Sequence, residues 1–245
     1  MTLNIYEDYQ TLSQATADAI VKVIKTNPEA VICLPSGDTP RLTCELFVKQ
    51  VIEERSDLSH ITFIGLDEWV GIPPDNEGSC HYFFQHELFQ YLSLSKQQVY
   101  LFNGLSNDLE TECAKMNTVV SEKGRIDLMV VGIGMNGHIG FNEPGVSFGT
   151  YSHVTDLDAT TTIVGQKYFK SEMPLQKGIT LGLKHLSEAK EVLLIANGAK
   201  KAGIIKKTVE GEVTNCIPAS IMQTHANGFI MIDKEAASLL DKVSS

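Results

Sequence analysis

Three short stretches of this chain carry the residue types from which acid–base chemistry on a small anionic molecule could be built. The stretch Val131–Gly145 (VGIGMNGHIGFNEPG) sets four glycines around Asn136 and His138, with Glu143 five residues on. A histidine between glycines at the end of a strand is poorly placed to be a core residue and well suited to proton transfer near neutral pH. Asp67 and Glu68 stand side by side after the apolar run Ile61–Leu66. Their side chains should diverge, so one of the two is expected to face a cleft, where partial burial would raise its pKa and make it a base. The third stretch, Pro35-Ser36-Gly37-Asp38-Thr39-Pro40, offers hydroxyls at Ser36 and Thr39 and close backbone approach at Gly37. Thr39 followed by Pro40 reads as a helix N-cap and first turn, an arrangement that favours an anion such as phosphate.

Each stretch follows a predicted strand, and the elements behind them explain why they should meet. Apolar runs at Ala30–Leu34, Ile61–Leu66, Val99–Phe102, Ile126–Gly132, Glu191–Ala196 and Gly228–Ile232 read as strands. Several are continuous, as in strands covered on both faces. Helical spacing runs over Tyr9–Lys25, Pro40–Arg55, Cys80–Tyr91, Leu109–Glu122 and Lys200–Val209, and a last helix is expected to close the chain. This alternation predicts an α/β fold, a three-layer αβα sandwich with a mostly parallel, Rossmann-like central sheet. No linker or composition shift divides residues 1–245, which are expected to form a single domain. In a parallel sheet the three polar loops would lie on one edge, where ligands bind.

Composition narrows the chemistry. The net charge is −10 and no basic stripe lies along a predicted helix, so neither nucleic acid nor an anionic membrane is an expected partner. No apolar run reaches ~18 residues, and the N-terminus lacks the basic and apolar regions of a signal peptide. The five cysteines are odd in number and irregularly spaced, with no C-x-x-C. They read as reduced packing thiols of a cytoplasmic protein. His81 and His86 lie five apart, as do His138 and Glu143, which misses helical ligand spacing, so no metal is expected. The glycine spacing after Val131 does not continue as a dinucleotide fingerprint, and no G-x-S-x-G nucleophile motif occurs.

Taken together, PSGDTP, LDEWVGIP, VGIGMNGHIGFNEPG, KGITLGLKHLSEAKEVLLIANGAKKA and IPASIMQTH resemble segments of the glucosamine-6-phosphate deaminase and galactosamine-6-phosphate isomerase family, over nearly the whole chain. The N-E-P-G ending separates this branch from the 6-phosphogluconolactonases, which share the fold. Asp-Glu-Trp, Gly78-Ser79-Cys80, His153-Val154-Thr155 and the segment 178–184 lean toward galactosamine 6-phosphate, with glucosamine 6-phosphate as the alternative. The resemblance implies isomerisation with deamination of a 2-amino-2-deoxyhexose 6-phosphate, with no cofactor. It implies that Asp67 moves the proton between C2 and C1 and that His138 opens the ring. Asn136 and Glu143 would orient His138, and Ser36, Gly37, Thr39 and Lys201 would hold the phosphate. A homo-oligomer is compatible with the family.

Departures from the family pattern carry expectations of their own. Asp38 must point away from a phosphate or be paired. Lys167 is the basic residue nearest the family's arginine clamp, and Asn136 stands where some members have aspartate. The basic residues of an effector site in longer members are not evident, so an unregulated enzyme is expected. Two rival readings are a lactonase-type hydrolase, which would need no base at Asp67, and a sugar-phosphate sensor, for which no helix-turn-helix output segment is left over.

Overall fold

The computed structural model describes residues 1–241. In chain order the elements are β1 (Thr2–Tyr6), α1 (Tyr9–Thr26), β2 (Val31–Leu34), α2 (Asp38–Glu54), β3 (Thr62–Gly65), β4 (Asp67–Trp69), α3 (Cys80–Glu87), β5 (Val99–Tyr100), α4 (Leu109–Glu122) and β6 (Leu128–Val131). There follow β7 (His153–Asp156), α5 (Ala159–Gly165), β8 (Lys177–Thr180), α6 (Leu183–Glu188), β9 (Glu191–Ala196), α7 (Ala202–Glu210) and β10 (Gly228–Asp233). Short 3-10 turns at Phe89–Tyr91, Gln166–Tyr168, Ala199–Lys201 and Pro218–Thr224 join several of them.

Seven strands form a sheet in the order β1-β10-β9-β6-β2-β3-β5, parallel throughout. Residues 31–34, 62–65 and 128–131 are buried along their whole length. Their side chains alternate between two apolar layers. Val31, Cys33, Ile64, Met129, Val131, Val192 and Leu194 pack in one core with residues of α4, α6 and α7. Ile32, Leu34, Phe63, Leu128, Val130, Leu193 and Ile195 pack in the other with α1, α2 and α3. The period of two, with helices on both faces, explains the unbroken hydrophobic runs. It confirms the predicted α/β class and mostly parallel sheet.

From β2 the chain winds outward to β3 and β5, and then returns to place β6 on the other side of β2. The β2/β6 boundary is therefore the switch point where open α/β sheets form a ligand crevice. A second sheet, β4-β8-β7, is antiparallel and has no counterpart in the sequence reading. The crossing point is Leu66. Its N–H bonds to Leu34 of the large sheet, while its carbonyl accepts from Leu181 beyond β8. One residue later Asp67 pairs with Thr180 in the small sheet.

Some predicted elements differ. The helix expected over Cys80–Tyr91 ends at Glu87 and continues as a 3-10 turn. The closing helix is absent among the described residues: 234–239 form turns. There the Asp233 carboxylate accepts the Ala236 N–H at 2.7 Å, and one four-residue backbone bond is followed by two three-residue ones, so no run of helical bonds forms. Residues 242–245 of that predicted helix lie outside the described part. Among the described residues no helix is long and apolar enough to cross a membrane.

Candidate active site

A cleft opens at the carboxyl ends of β2, β3 and β6. All three polar loops line it, joined by α5 with the 3-10 turn after it, and by Lys201. Of the predicted site residues, Ser36, Gly37, Thr39, Asp67, His138 and Lys201 line this cleft directly, while Asn136 and Glu143 stand behind His138.

In the phosphate-type loop the helix begins two residues earlier than predicted. Helix α2 starts at Asp38 with Gly37 as N-cap, at φ 113°, in the region open to glycine. Thr39 is not the cap, because its hydroxyl is drawn into a tertiary bond, donating to Asn197 Oδ1 at 2.9 Å. The helix N-terminus still faces the cleft. Asp38 is paired, as a carboxylate there must be: Lys167 Nζ lies 2.6 Å from its Oδ2. Desolvation pulls Lys167 down, but the Asp38 hydrogen bond and charge hold it above its ordinary pKa. Lys201 sits at the end of the 3-10 turn before α7, and its ammonium donates to the Ile133 carbonyl at 2.5 Å. Burial, and then the charge of Lys167, push it down to about 8. The loop thus has two lysines within reach of an anion, one half-buried and one paired at the rim.

Asp67 and Glu68 diverge as the strand geometry requires. Glu68 points away from the cleft and is saturated. It accepts from Trp69 N at 2.8 Å, Cys80 N at 3.0 Å, His81 N at 2.9 Å and Ser79 Oγ at 3.0 Å. It thereby anchors the start of α3 beneath the cleft. Asp67 faces the cleft. Burial, and then the adjacent Glu68 charge, push its carboxyl up to about 7, opposed by a hydrogen bond from Cys80. A carboxylate poised near neutrality is what a general base at physiological pH requires.

His138 is held on three sides. Its Nδ1 lies 3.0 Å from Thr161 Oγ1 and 3.5 Å from Glu143 Oε2. Asn136 Nδ2 donates to the same Glu143 oxygen at 2.9 Å, and its Oδ1 accepts the His138 N–H at 3.2 Å. Desolvation pushes the Glu143 pKa up, but hydrogen bonds and charge from His138, with Thr161 and Asn136, bring it below its ordinary value. Glu143 is therefore a charged acceptor at neutral pH and favours the ring proton on Nδ1, leaving Nε2 available as base. The ring lies flat over Gly134, where an added Cβ would fall 2.2–2.4 Å from its atoms. Only glycine permits that approach.

The sequence reading missed Cys80, Thr161 and Asn197. Thr161 sits in a run of three threonines on α5 with nothing to distinguish it. Of the five cysteines expected to be packing thiols, four are buried and one is not. Cys216 is exposed. Cys80, the first residue of α3, lines the cleft between Ser36 Oγ (3.0 Å) and Asp67 Oδ1 (3.7 Å). Trp69 is buried against Phe141 and Phe169 as a packing residue, and also lines the cleft. His81 and His86 bond to the carbonyls of Phe102 and Tyr82. Among the described residues no group of three or more His, Cys, Asp or Glu side chains could hold a metal ion.

Comparison with known proteins places the chain among sugar-phosphate enzymes by sequence and fold. The chain is 39% identical over 242 residues to a protein of Thermoanaerobacter pseudethanolicus named glucosamine-6-phosphate deaminase, covering 98% of this chain and 95% of that one. It is 36% identical to the protein of that name from Clostridium perfringens strain 13, covering 98% and 100%. A solved structure described as a monomeric glucosamine-6-phosphate deaminase superposes with a TM-score of 0.94 at 34% identity, covering 98% of this chain and 100% of that one. The 6-phosphogluconolactonase of Trypanosoma brucei shares the fold, with a TM-score of 0.73 at 19% identity, covering 97% of each chain. The relatives carry the glucosamine name, so they favour that alternative over the galactosamine lean of the sequence motifs. With residues 7–231 matched by the family model for glucosamine-6-phosphate isomerases and 6-phosphogluconolactonases, the chain belongs to that family.

Proposed function

We propose that this chain, acting as a single domain in the cytoplasm, converts glucosamine 6-phosphate and water to fructose 6-phosphate and ammonia. The observation that carries the reading is one cleft with two separate acid–base groups, Asp67 from β4 and His138 from the loop after β6, beside an anion-type loop. Ring opening needs a base at the anomeric hydroxyl and an acid at the ring oxygen. His138 Nε2 supplies this, with Glu143, Asn136 and Thr161 holding Nδ1. Isomerisation needs one carboxylate that takes the C2 proton and returns a proton to C1, and Asp67 is that group. The C2 amine then becomes an imine. Water adds to give a carbinolamine, its nitrogen takes a proton while the carbinol hydroxyl loses one, and the C–N bond breaks with its electron pair going to the departing ammonia. Every step is proton transfer, ring opening, addition of water or loss of ammonia, with no net oxidation or reduction, so no cofactor is required. Ser36, Gly37, Thr39 and Lys201 hold the phosphate and so fix C1 and C2 against Asp67.

A second substrate, galactosamine 6-phosphate, is favoured by Trp69 and Cys80, two residues of the galactosamine-type motifs that both line the cleft. Ammonia release from each sugar in parallel decides the matter. Faster release from the glucosamine ester is expected, and no ammonia from either sugar refutes the assignment. In the same assay His138→Gln is expected to slow ring-closed sugar far more than the open-chain form. Equal losses on both would remove the ring-opening role.

A further inference from the structure

Cys80 lines the cleft, yet the reaction above gives it no bond to make or break. Its backbone is fixed, since its N–H is held by Glu68 at the start of α3. Its side chain is 4% exposed and has a partner on each side. Ser36 Oγ donates to Sγ at 3.0 Å, and Sγ donates to Asp67 Oδ1 at 3.7 Å. Burial, and then the charges of Glu68 and Asp67, push the thiol well above its ordinary pKa, so it keeps its proton and is a donor rather than a nucleophile. The other carboxylate oxygen, Oδ2, faces Gly140, where an added Cβ would lie 3.4 Å away. One oxygen of Asp67 is thus tied and the other is left free.

We propose that Cys80 is the positioning residue of the base: its thiol holds the Asp67 carboxylate in one orientation and links it, through Ser36, to the phosphate loop. The inference rests on Asp67 being the C2 base. It accounts for how one short side chain serves two carbons, since tying Oδ1 leaves Oδ2, beside Gly140 in the cleft wall, as the oxygen that carries the proton. The titratable groups packed against Asp67 are Glu68 on its own strand, Cys33 on β2 and Cys80 on α3. Asp38, Arg41, Glu77, His138, Lys167 and Lys201 line other walls of the same cleft. Of these, Cys80 alone donates a hydrogen bond that favours the charged carboxylate. Removing the donor should therefore raise the pH at which Asp67 ionises.

The test compares Cys80→Val and Cys80→Ala, which lack a donor, with Cys80→Ser, which keeps one. The readout is the pH profile of kcat/KM for ammonia release from glucosamine 6-phosphate, with thermal melting to confirm folding. Without the donor, the acid limb is expected to move up by about half a pH unit, with kcat lower by about tenfold, the worth of ~1.4 kcal/mol. KM should stay within about twofold, and Cys80→Ser should restore the limb. An unmoved limb in a folded donor-free variant overturns the proposal, as does a shift in Cys80→Ser equal to that in Cys80→Val. Asp67→Asn separates the two failures. If that variant keeps its activity, the base assignment fails. If it is inactive while the Cys80 limb stays put, only the present proposal fails.

Discussion

Replacing Asp67 by asparagine should abolish turnover and at the same time stabilise the protein, in a pH-dependent way. Asp67 has an ordinary pKa of 3.8 and is pushed to about 7 in the folded chain, by burial and then by Glu68. Between these values the folded chain holds a proton that the unfolded chain has released. Stability therefore falls as pH rises from 4 to 7, and the full penalty applies above 7. Three units at about 1.4 kcal/mol each give a ceiling of about 4 kcal/mol, reached if water in the cleft screens none of it. Asparagine is uncharged and carries no such penalty. Urea denaturation of both proteins from pH 4.5 to 8.5 measures the difference, in which titrating groups not coupled to Asp67 cancel. The stability gap should widen by about 1 kcal/mol per pH unit up to pH 7 and then level off. At an m-value of ~3 kcal/mol/M the midpoints would separate by about 1 M at pH 8. A gap that does not change with pH would refute the reasoning, because it would mean that Asp67 is as well solvated folded as unfolded.

Three further outcomes follow from single contacts. Gly134→Ala should lower kcat/KM by at least about 100-fold, because the new methyl falls within 2.4 Å of the His138 ring. The melting temperature should drop by only a few degrees, and an unimpaired variant would show that the ring position is unimportant. Lys201 is pushed down to about 8, so it loses charge above that pH. KM for the sugar phosphate should rise as pH passes 8, Lys201→Ala should raise it about 10- to 100-fold at neutral pH, and Lys201→Arg should flatten the rise. Asp38→Asn should lower KM by about two- to fivefold, more at low salt, because it frees Lys167 and removes an exposed anion beside the loop. A higher KM would instead assign the pair a structural role.

The parts of this protein that were legible in the sequence are those set by local rules. Val31–Leu34, Thr62–Gly65 and Leu128–Val131 announce themselves as strands, because helices on both faces demand a continuous apolar run. Chain direction then puts the loops after them on one edge, which by itself brings Ser36, Asp67 and His138 together. The divergence of Asp67 from Glu68 also follows from the two-residue period alone. What the sequence could not decide depends on contacts between distant segments. Strand β8, with a single exposed residue at its start, gives a hydrophobic run too short to distinguish. Yet its pairing with β4 is what turns the chain at Leu66 and aims Asp67 into the cleft. Thr39 looked like a cap until Asn197, 158 residues away, claimed its hydroxyl. Lys167 reaches Asp38 across 129 residues, and Thr161 meets His138 from an otherwise featureless helix. Cys80 had the composition of a packing thiol, and only its place between Ser36 and Asp67 gives it a part in the chemistry. Residue type and local period establish which groups can act. Packing between segments far apart in the chain determines which oxygen, nitrogen or thiol each of them faces.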